Sequence, residues 1–298
     1  MGKLMEIRGT CLFVEDFGDP RHPALLYLHG GPGASCMDFV STQARTLSER
    51  LRVIAIDQRG VLRSDAIKEN EPFGIQDIIE DCEHLRGELG IEQWTVLGHS
   101  FGGHAALLYA HQYPEHVKKV IYEAPAFDTR RSMKSLLQKA LVLFEQENRE
   151  EAAAECKKFI DGSFTTYELW QQWIRIGNLL GSSRERIYFH KVDPAEYDNL
   201  FDPSVATPEN WRKSQIHANK LVEEGRFFTN LLPMLPQVMQ PSLLLHGVYD
   251  PICCEEQLQA FREHCPNGEV AVFENSAHFP RIEEPAKYTR ELILFIEK

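Results

Sequence analysis

Residues 94–103 read Trp-Thr-Val-Leu-Gly-His-Ser-Phe-Gly-Gly, and this stretch decides the fold. Trp94 to Leu97 is a short apolar run of β-favouring residues, the pattern of a buried strand. Gly98-His99-Ser100-Phe101-Gly102 follows as a G-x-S-x-G match, and Ala105 to Ala110 is strongly helical. Strand, tight turn and helix are the context that gives this short motif a mechanical meaning: an elbow that lifts a serine hydroxyl above a sheet. Side chains at positions 98 and 102 would crowd the neighbouring strand and helix, so glycine is the residue the elbow needs. The Phe101 N–H, at a helix N-terminus, then points at the space in front of Ser100. A glycine-rich turn with an N-capping serine looks the same in isolation, and the rest of the chain separates the two.

Upstream, Glu6 to Glu15 reads as an edge hairpin around Gly9-Thr10. Ala24 to Leu28 is a buried strand that runs into His29-Gly30-Gly31-Pro32-Gly33, with a helix after it from Met37 to Arg50. Arg52 to Ile56 is the next strand, ending in Asp57-Gln58-Arg59-Gly60. Ile75 to Leu89 is an amphipathic helix with Ile78, Ile79, Cys82 and Leu85 on one face, stopped at Gly90. Val117 to Tyr122 is a further strand. Strands that are apolar throughout and alternate with helices predict an α/β fold with a mostly parallel sheet covered on both faces.

The rhythm breaks at Phe127. From there to Pro236 the text is helical and polar, with helices over 136–144, 169–180 and 216–228 and a solvated acidic face over 145–158. Strands return at Ser242 to Leu245 and Glu269 to Phe273, with helices from Glu255 and Glu283. The chain therefore divides into a core domain, residues 1–126 and 237–298, and an inserted all-helical cap, residues 127–236. The cap is expected over the carboxyl ends of the strands, where such sheets bind ligands.

The net charge of −12 disfavours nucleic acid and anionic membrane surfaces as partners. No apolar run approaches the roughly 20 residues of a membrane span, and the first residues lack the apolar core of a signal peptide. Seven cysteines without a C-x-x-C pair or a Cys/His metal spacing read as reduced thiols of a cytoplasmic protein. Oligomeric state is not encoded in any of these features.

A serine nucleophile needs a base, and the base needs an orienting carboxylate. After the cap, Leu245-His246-Gly247-Val248-Tyr249-Asp250 puts an acid just past one strand, and Asn275-Ser276-Ala277-His278 puts a histidine just past another. Ser100, Asp250 and His278 occur in the chain order of α/β hydrolases and at the same strand edge. His99, His104, His111 and His246 compete weakly: each sits inside the elbow, on the helix after it, or at a strand end where packing accounts for it. The Gly30–Gly33 loop leaves a central strand and lets backbone approach a ligand. Its Gly31 N–H is the expected second oxyanion donor beside Phe101.

His29 to Gly33, Asp57 to Gly60 through Arg63-Ser64, the Ser100 elbow, Gly247 to Asp250 and His278 together resemble the proline iminopeptidase family of α/β hydrolases. The resemblance covers the core at both ends of the chain and the cap only in fragments. It implies removal of an N-terminal residue from a short peptide, with no metal or cofactor, and cap carboxylates that hold the substrate amine. Three positions depart from the family pattern. The elbow reads His99-Ser100-Phe101 where many members carry Gly-Ser-Trp, and Leu62 replaces a glycine. In the cap, Trp170-Gln171-Gln172-Trp173-Ile174 resembles the family's Trp-x-x-Trp-Glu with Ile174 in place of the glutamate. The other amine-binding segment resembles Glu224 to Phe228, with Glu224 kept. Trp173, Ile174 and Glu224 are thus the expected substrate-binding residues. A carboxylesterase or amidase acting on a small uncharged substrate is the alternative chemistry, and a non-catalytic ligand receptor on the same fold is the alternative class.

Overall fold

In the computed structural model, which describes residues 2–298, the apolar runs form one eight-stranded sheet. Its strands are β1 (Lys3–Ile7), β2 (Thr10–Phe17), β3 (Ala24–Leu28), β4 (Arg52–Asp57), β5 (Trp94–His99), β6 (Val117–Glu123), β7 (Ser242–Gly247) and β8 (Gly268–Phe273). The order across the sheet is β1-β2-β4-β3-β5-β6-β7-β8. β1 and β2 form an antiparallel hairpin and β2 runs antiparallel to β4; every later pairing is parallel.

The helices of the core are α1 (Met37–Phe39), α2 (Arg45–Leu47), α3 (Ile75–Glu88) and α4 (Phe101–Gln112). Those of the insertion are α5 (Thr129–Gln146), α6 (Glu150–Asp161), α7 (Thr166–Leu180), α8 (Pro194–Asp198) and α9 (Pro208–Glu224). The core closes with α10 (Glu255–His264), α11 (Pro280–Glu283) and α12 (Pro285–Glu297). The expected helix from Met37 to Arg50 is α1 and α2 joined by a π turn, Val40–Ala44. The expected last helix is α12, with Pro285 at its first position, and the short α11 precedes it.

The strand alternation sorts side chains into two cores. Leu26 and Leu28 of β3 pack with α3, α4 and α10, whereas Leu25 and Tyr27 pack on the other face with α2 and α12. Removing such a side chain from water stabilises the fold by about 1.5–3 kcal/mol, and every residue of β5 and β7 is buried. β3 has β4 on one side and β5 on the other. The loops leaving β3 and β5 therefore part at the carboxyl edge and open a crevice there.

All strands lie outside the stretch between β6 and β7. Within it, α5, α6 and α7 share a core of their own that includes Leu136, Phe144, Phe159, Leu169 and Trp173. Helix α7 starts at a capping box: the Glu168 N–H donates to Thr165 Oγ1 (3.2 Å) and the Thr165 N–H donates to Glu168 Oε2 (2.7 Å). Helix α9 packs differently, with Leu221 and the following Phe227 in the sheet's own core. The helix expected over 216–228 begins earlier, with Thr207 as N-cap and Pro208 at its first position, and stops at Gly225. Gly225 has φ +85°, the left-handed conformation that ends helices, so Arg226–Phe228 is a separate 3₁₀ turn. Among the described residues no helix is long and apolar enough to cross a membrane, and all seven cysteines are free thiols.

Candidate active site

The elbow has the geometry that its glycines imply. Ser100 sits between β5 and α4 at φ +55° and ψ −118°, a conformation that costs a non-glycine residue about 1–3 kcal/mol. Two close approaches hold it there. A Cβ on Gly98 would lie 2.1 Å from the Gly102 carbonyl oxygen, and one on Gly102 would lie 2.1 Å from that of Leu28. The Ser100 N–H donates to the Glu123 carbonyl (2.9 Å), and the Ser100 carbonyl accepts from Gly103 and Ala126 (2.9 and 3.2 Å). Phe101 begins α4, so its N–H has no intrahelical acceptor. Across the crevice, the Ala34 N–H donates to the Gly30 carbonyl (3.2 Å) and Gly31 takes φ +112°. Gly31, Ser100 and Phe101 line one cavity.

Asp250 and His278 meet at the end of β7. The His278 Nδ1–H donates to Asp250 Oδ1 (2.8 Å). The Ile252 and Cys253 N–H groups also donate to the carboxylate (both 2.9 Å) and fix its orientation. With Nδ1 as donor, the neutral imidazole carries its lone pair on Nε2. The backbone of His278 is fixed from both sides: its N–H donates to Tyr188 O and its carbonyl accepts from His99 Nε2 (both 3.0 Å). No hydrogen bond joins Ser100 Oγ to His278 Nε2 among the described residues, and such contacts are often long until substrate binds.

The other histidines have different surroundings. Burial and the Arg281 charge push His99 well below its ordinary pKa, so it stays neutral and donates to the His278 carbonyl. His29 is buried, with its Nε2 accepting the Gln58 N–H (3.1 Å). His246 is pushed down chiefly by burial and lies outside the cavity.

The cavity holds about 640 Å³ between the Gly30–Ser35 loop and the helical segment, within the size range of small-molecule sites. Trp173 and Ile174 of α7 line it, together with Trp170 of the same helix. Glu224 does not, and this corrects the expectation for it. Its side chain lies against Gly74, the N-cap of α3, where a Cβ would meet Glu224 Cγ at 2.8 Å. Its carboxylate accepts the Arg226 N–H (3.0 Å). The left-handed Gly225 turns the chain so that this charge faces the positive end of α3 rather than the cavity.

The structure brings three other charged residues to the cavity wall: Asp38, Arg184 and Glu185. Asp38 is neutralised by Arg281, three residues after His278 and fully buried. The Arg281 guanidinium also pairs with Glu123 (2.9 Å), which accepts from the Tyr288 hydroxyl (3.0 Å); Tyr197 of the cap donates to Asp38 (3.2 Å). Glu185 forms no ion pair within 4 Å among the described residues; desolvation raises its carboxyl above the ordinary value, and the neighbouring Arg184 charge opposes this. Glu123, which closes the apolar run Val120 to Tyr122, was the sequence signal for the buried cluster. Nothing in the sequence pattern marked Arg184 or Glu185. Among the described residues no three His, Cys, Asp or Glu side chains are grouped to hold a metal ion.

Comparison with known proteins agrees with this architecture. The chain is 26% identical over 277 residues to a proline iminopeptidase of Heyndrickxia coagulans, covering 89% of this chain and 87% of that protein. It is 35% identical to a proline iminopeptidase of Neisseria gonorrhoeae over 114 residues, 37% of this chain and 35% of the other. The solved structure of a proline iminopeptidase-related protein from Thermus thermophilus superposes with a TM-score of 0.78 at 20% identity, covering 100% of this chain and 97% of that one. An esterase from Exiguobacterium antarcticum superposes with a TM-score of 0.66 at 22% identity over the full length of both. The family model described as alpha/beta hydrolase fold matches residues 23–285, which hold the elbow, the insertion and every strand from β3 to β8, and the chain belongs to that family.

Proposed function

We propose that the protein is a serine hydrolase that works through an acyl-enzyme. Ser100 Oγ attacks the substrate carbonyl while its proton passes to His278 Nε2. Asp250 holds the imidazole in the required tautomer and stabilises the imidazolium. The Gly31 and Phe101 N–H groups receive the oxyanion. The imidazolium then protonates the leaving group, and water, deprotonated by His278, releases the acid and restores Ser100. The observation that carries this reading is the 2.8 Å His278–Asp250 hydrogen bond, which leaves Nε2 free at the cavity that Ser100 lines.

Within that chemistry the reading is an aminopeptidase of proline iminopeptidase type, acting on a short peptide or amino-acid amide with a free N-terminus. The names of the relatives support it, as does Glu185, a carboxylate at the cavity wall without a cation. A second reading, an esterase or amidase for a small uncharged acyl compound, draws on Ile174 and Glu224, since neither brings a carboxylate to the cavity. Paired aminoacyl-naphthylamides, free and N-acetylated, tested beside nitrophenyl esters, separate the two. The aminopeptidase reading expects a preference of at least about tenfold in kcat/KM for the free amine, the worth of one charged hydrogen bond. Equal rates on both members of each pair leave the esterase or amidase.

A further inference from the structure

Arg184 is the second charged group at the cavity wall without a protein counterpart. It forms no ion pair with a carboxylate among the described residues, and its Nε is buried with no hydrogen-bond partner. Its guanidinium carbon stands 5.7 Å from the centre of the Trp173 ring. Gly177 of α7 leaves it room, since a Cβ there would approach Nε to 3.1 Å. Tyr188, which lines the same cavity, has its ring 5.7 Å from that of His278. Arg184 and Glu185 are adjacent in sequence, carry opposite charge and both line the cavity of Ser100. A guanidinium at the cavity wall with no carboxylate partner among the described residues matches a planar carboxylate.

From this pair we infer that the substrate is a zwitterion: a dipeptide with both termini free, its ammonium facing Glu185 and its carboxylate facing Arg184. The inference rests on the aminopeptidase reading and narrows it, because adjacent opposite charges lining one cavity match a substrate with both termini charged and select against capped ends. Leaving either charge of the pair unmatched in a partly desolvated site costs affinity, so capping the carboxylate is penalised.

The test uses the full-length enzyme and three peptides: prolyl-alanine, prolyl-alaninamide and N-acetyl-prolyl-alanine. Expected is a kcat/KM for prolyl-alanine at least about tenfold above that for prolyl-alaninamide. In Arg184→Gln the ratio of the two falls toward one, and Arg184→Lys, which keeps the charge but not the fork, retains part of it. The ratio does not depend on the fraction of enzyme that folds. Cleavage of prolyl-alanine and its amide at equal rates overturns this inference while leaving the aminopeptidase reading intact. Cleavage of N-acetyl-prolyl-alanine as fast as prolyl-alanine, or of nitrophenyl esters alone, overturns the aminopeptidase reading, and this inference falls with it.

Discussion

Replacing Arg281 by methionine isolates the buried charge cluster beneath the His278 loop. The guanidinium is fully buried between Asp38 and Glu123. Methionine keeps much of its volume against Phe279 and Tyr27, which flank the guanidinium, but leaves both carboxylates without a cation. Breaking a buried ion pair in this way costs about 3–5 kcal/mol, against a total stability of about 5–15 kcal/mol for a domain. Urea unfolding followed by tryptophan fluorescence reads the loss. With a slope of about 3 kcal/mol per molar, the midpoint falls by roughly 1–1.7 M. A pH arm separates charge from packing. Burial already holds the Glu123 carboxyl above its ordinary value, and Arg281 is the main group opposing that shift. Without Arg281 the folded pKa rises further above the unfolded value of about 4.3. A raised folded pKa contributes stability that is present below the unfolded value and lost as pH rises. The deficit of the variant is therefore smaller at pH 5 than at pH 8. A midpoint within about 0.3 M of wild type, or a deficit that does not change with pH, refutes the reasoning.

Glu224→Gln lowers stability by about 0.3–1 kcal/mol, through the lost charge at the start of α3, and leaves the preference for a free substrate amine untouched. Glu185→Gln lowers that preference about tenfold; paired amine and N-acetyl substrates check both. His104 and His217 are buried, and burial first of all pushes them down to about 4 and about 3. Below the unfolded value of about 6.5 the unfolded chain takes up protons that these folded side chains refuse. Stability therefore falls as pH drops from about 6.5 toward the folded values, by up to about 1.4 kcal/mol per unit for each group. His104→Gln and His217→Gln flatten that slope in urea titrations between pH 6.5 and 4.5. Gly102→Ala drives a Cβ into the Leu28 carbonyl and costs about 3 kcal/mol or more, read as a lowered thermal midpoint.

What was legible in the sequence is what local backbone geometry and strand periodicity control. The elbow could be read because glycine is forced at 98 and 102 by contacts within a few residues and with the adjacent β3. The parallel sheet could be read because β5 and β7 are buried along their whole length. Ser100, Asp250 and His278 could be grouped because each follows a strand at one edge of that sheet. The position of Glu224 could not, since it depends on one left-handed residue, Gly225, and on Gly74, a partner 150 residues away in the chain. The burial of Arg281 could not be read either, since its partners Asp38 and Glu123 lie on two other elements. Arg184 joins two short 3₁₀ turns between α7 and α8 and Glu185 begins the second, where no periodicity assigns a face.

The central claim is that Ser100 is the nucleophile. Fluorophosphonate labelling followed by mass-spectrometric mapping tests it most directly. The account predicts one adduct on the peptide containing Ser100, loss of labelling in Ser100→Ala, and a fall of roughly 10⁴- to 10⁶-fold in kcat for that variant with its unfolding curve intact. An enzyme that turns over substrate while Ser100 stays unlabelled, or a Ser100→Ala variant that keeps more than about a tenth of the wild-type rate, contradicts it.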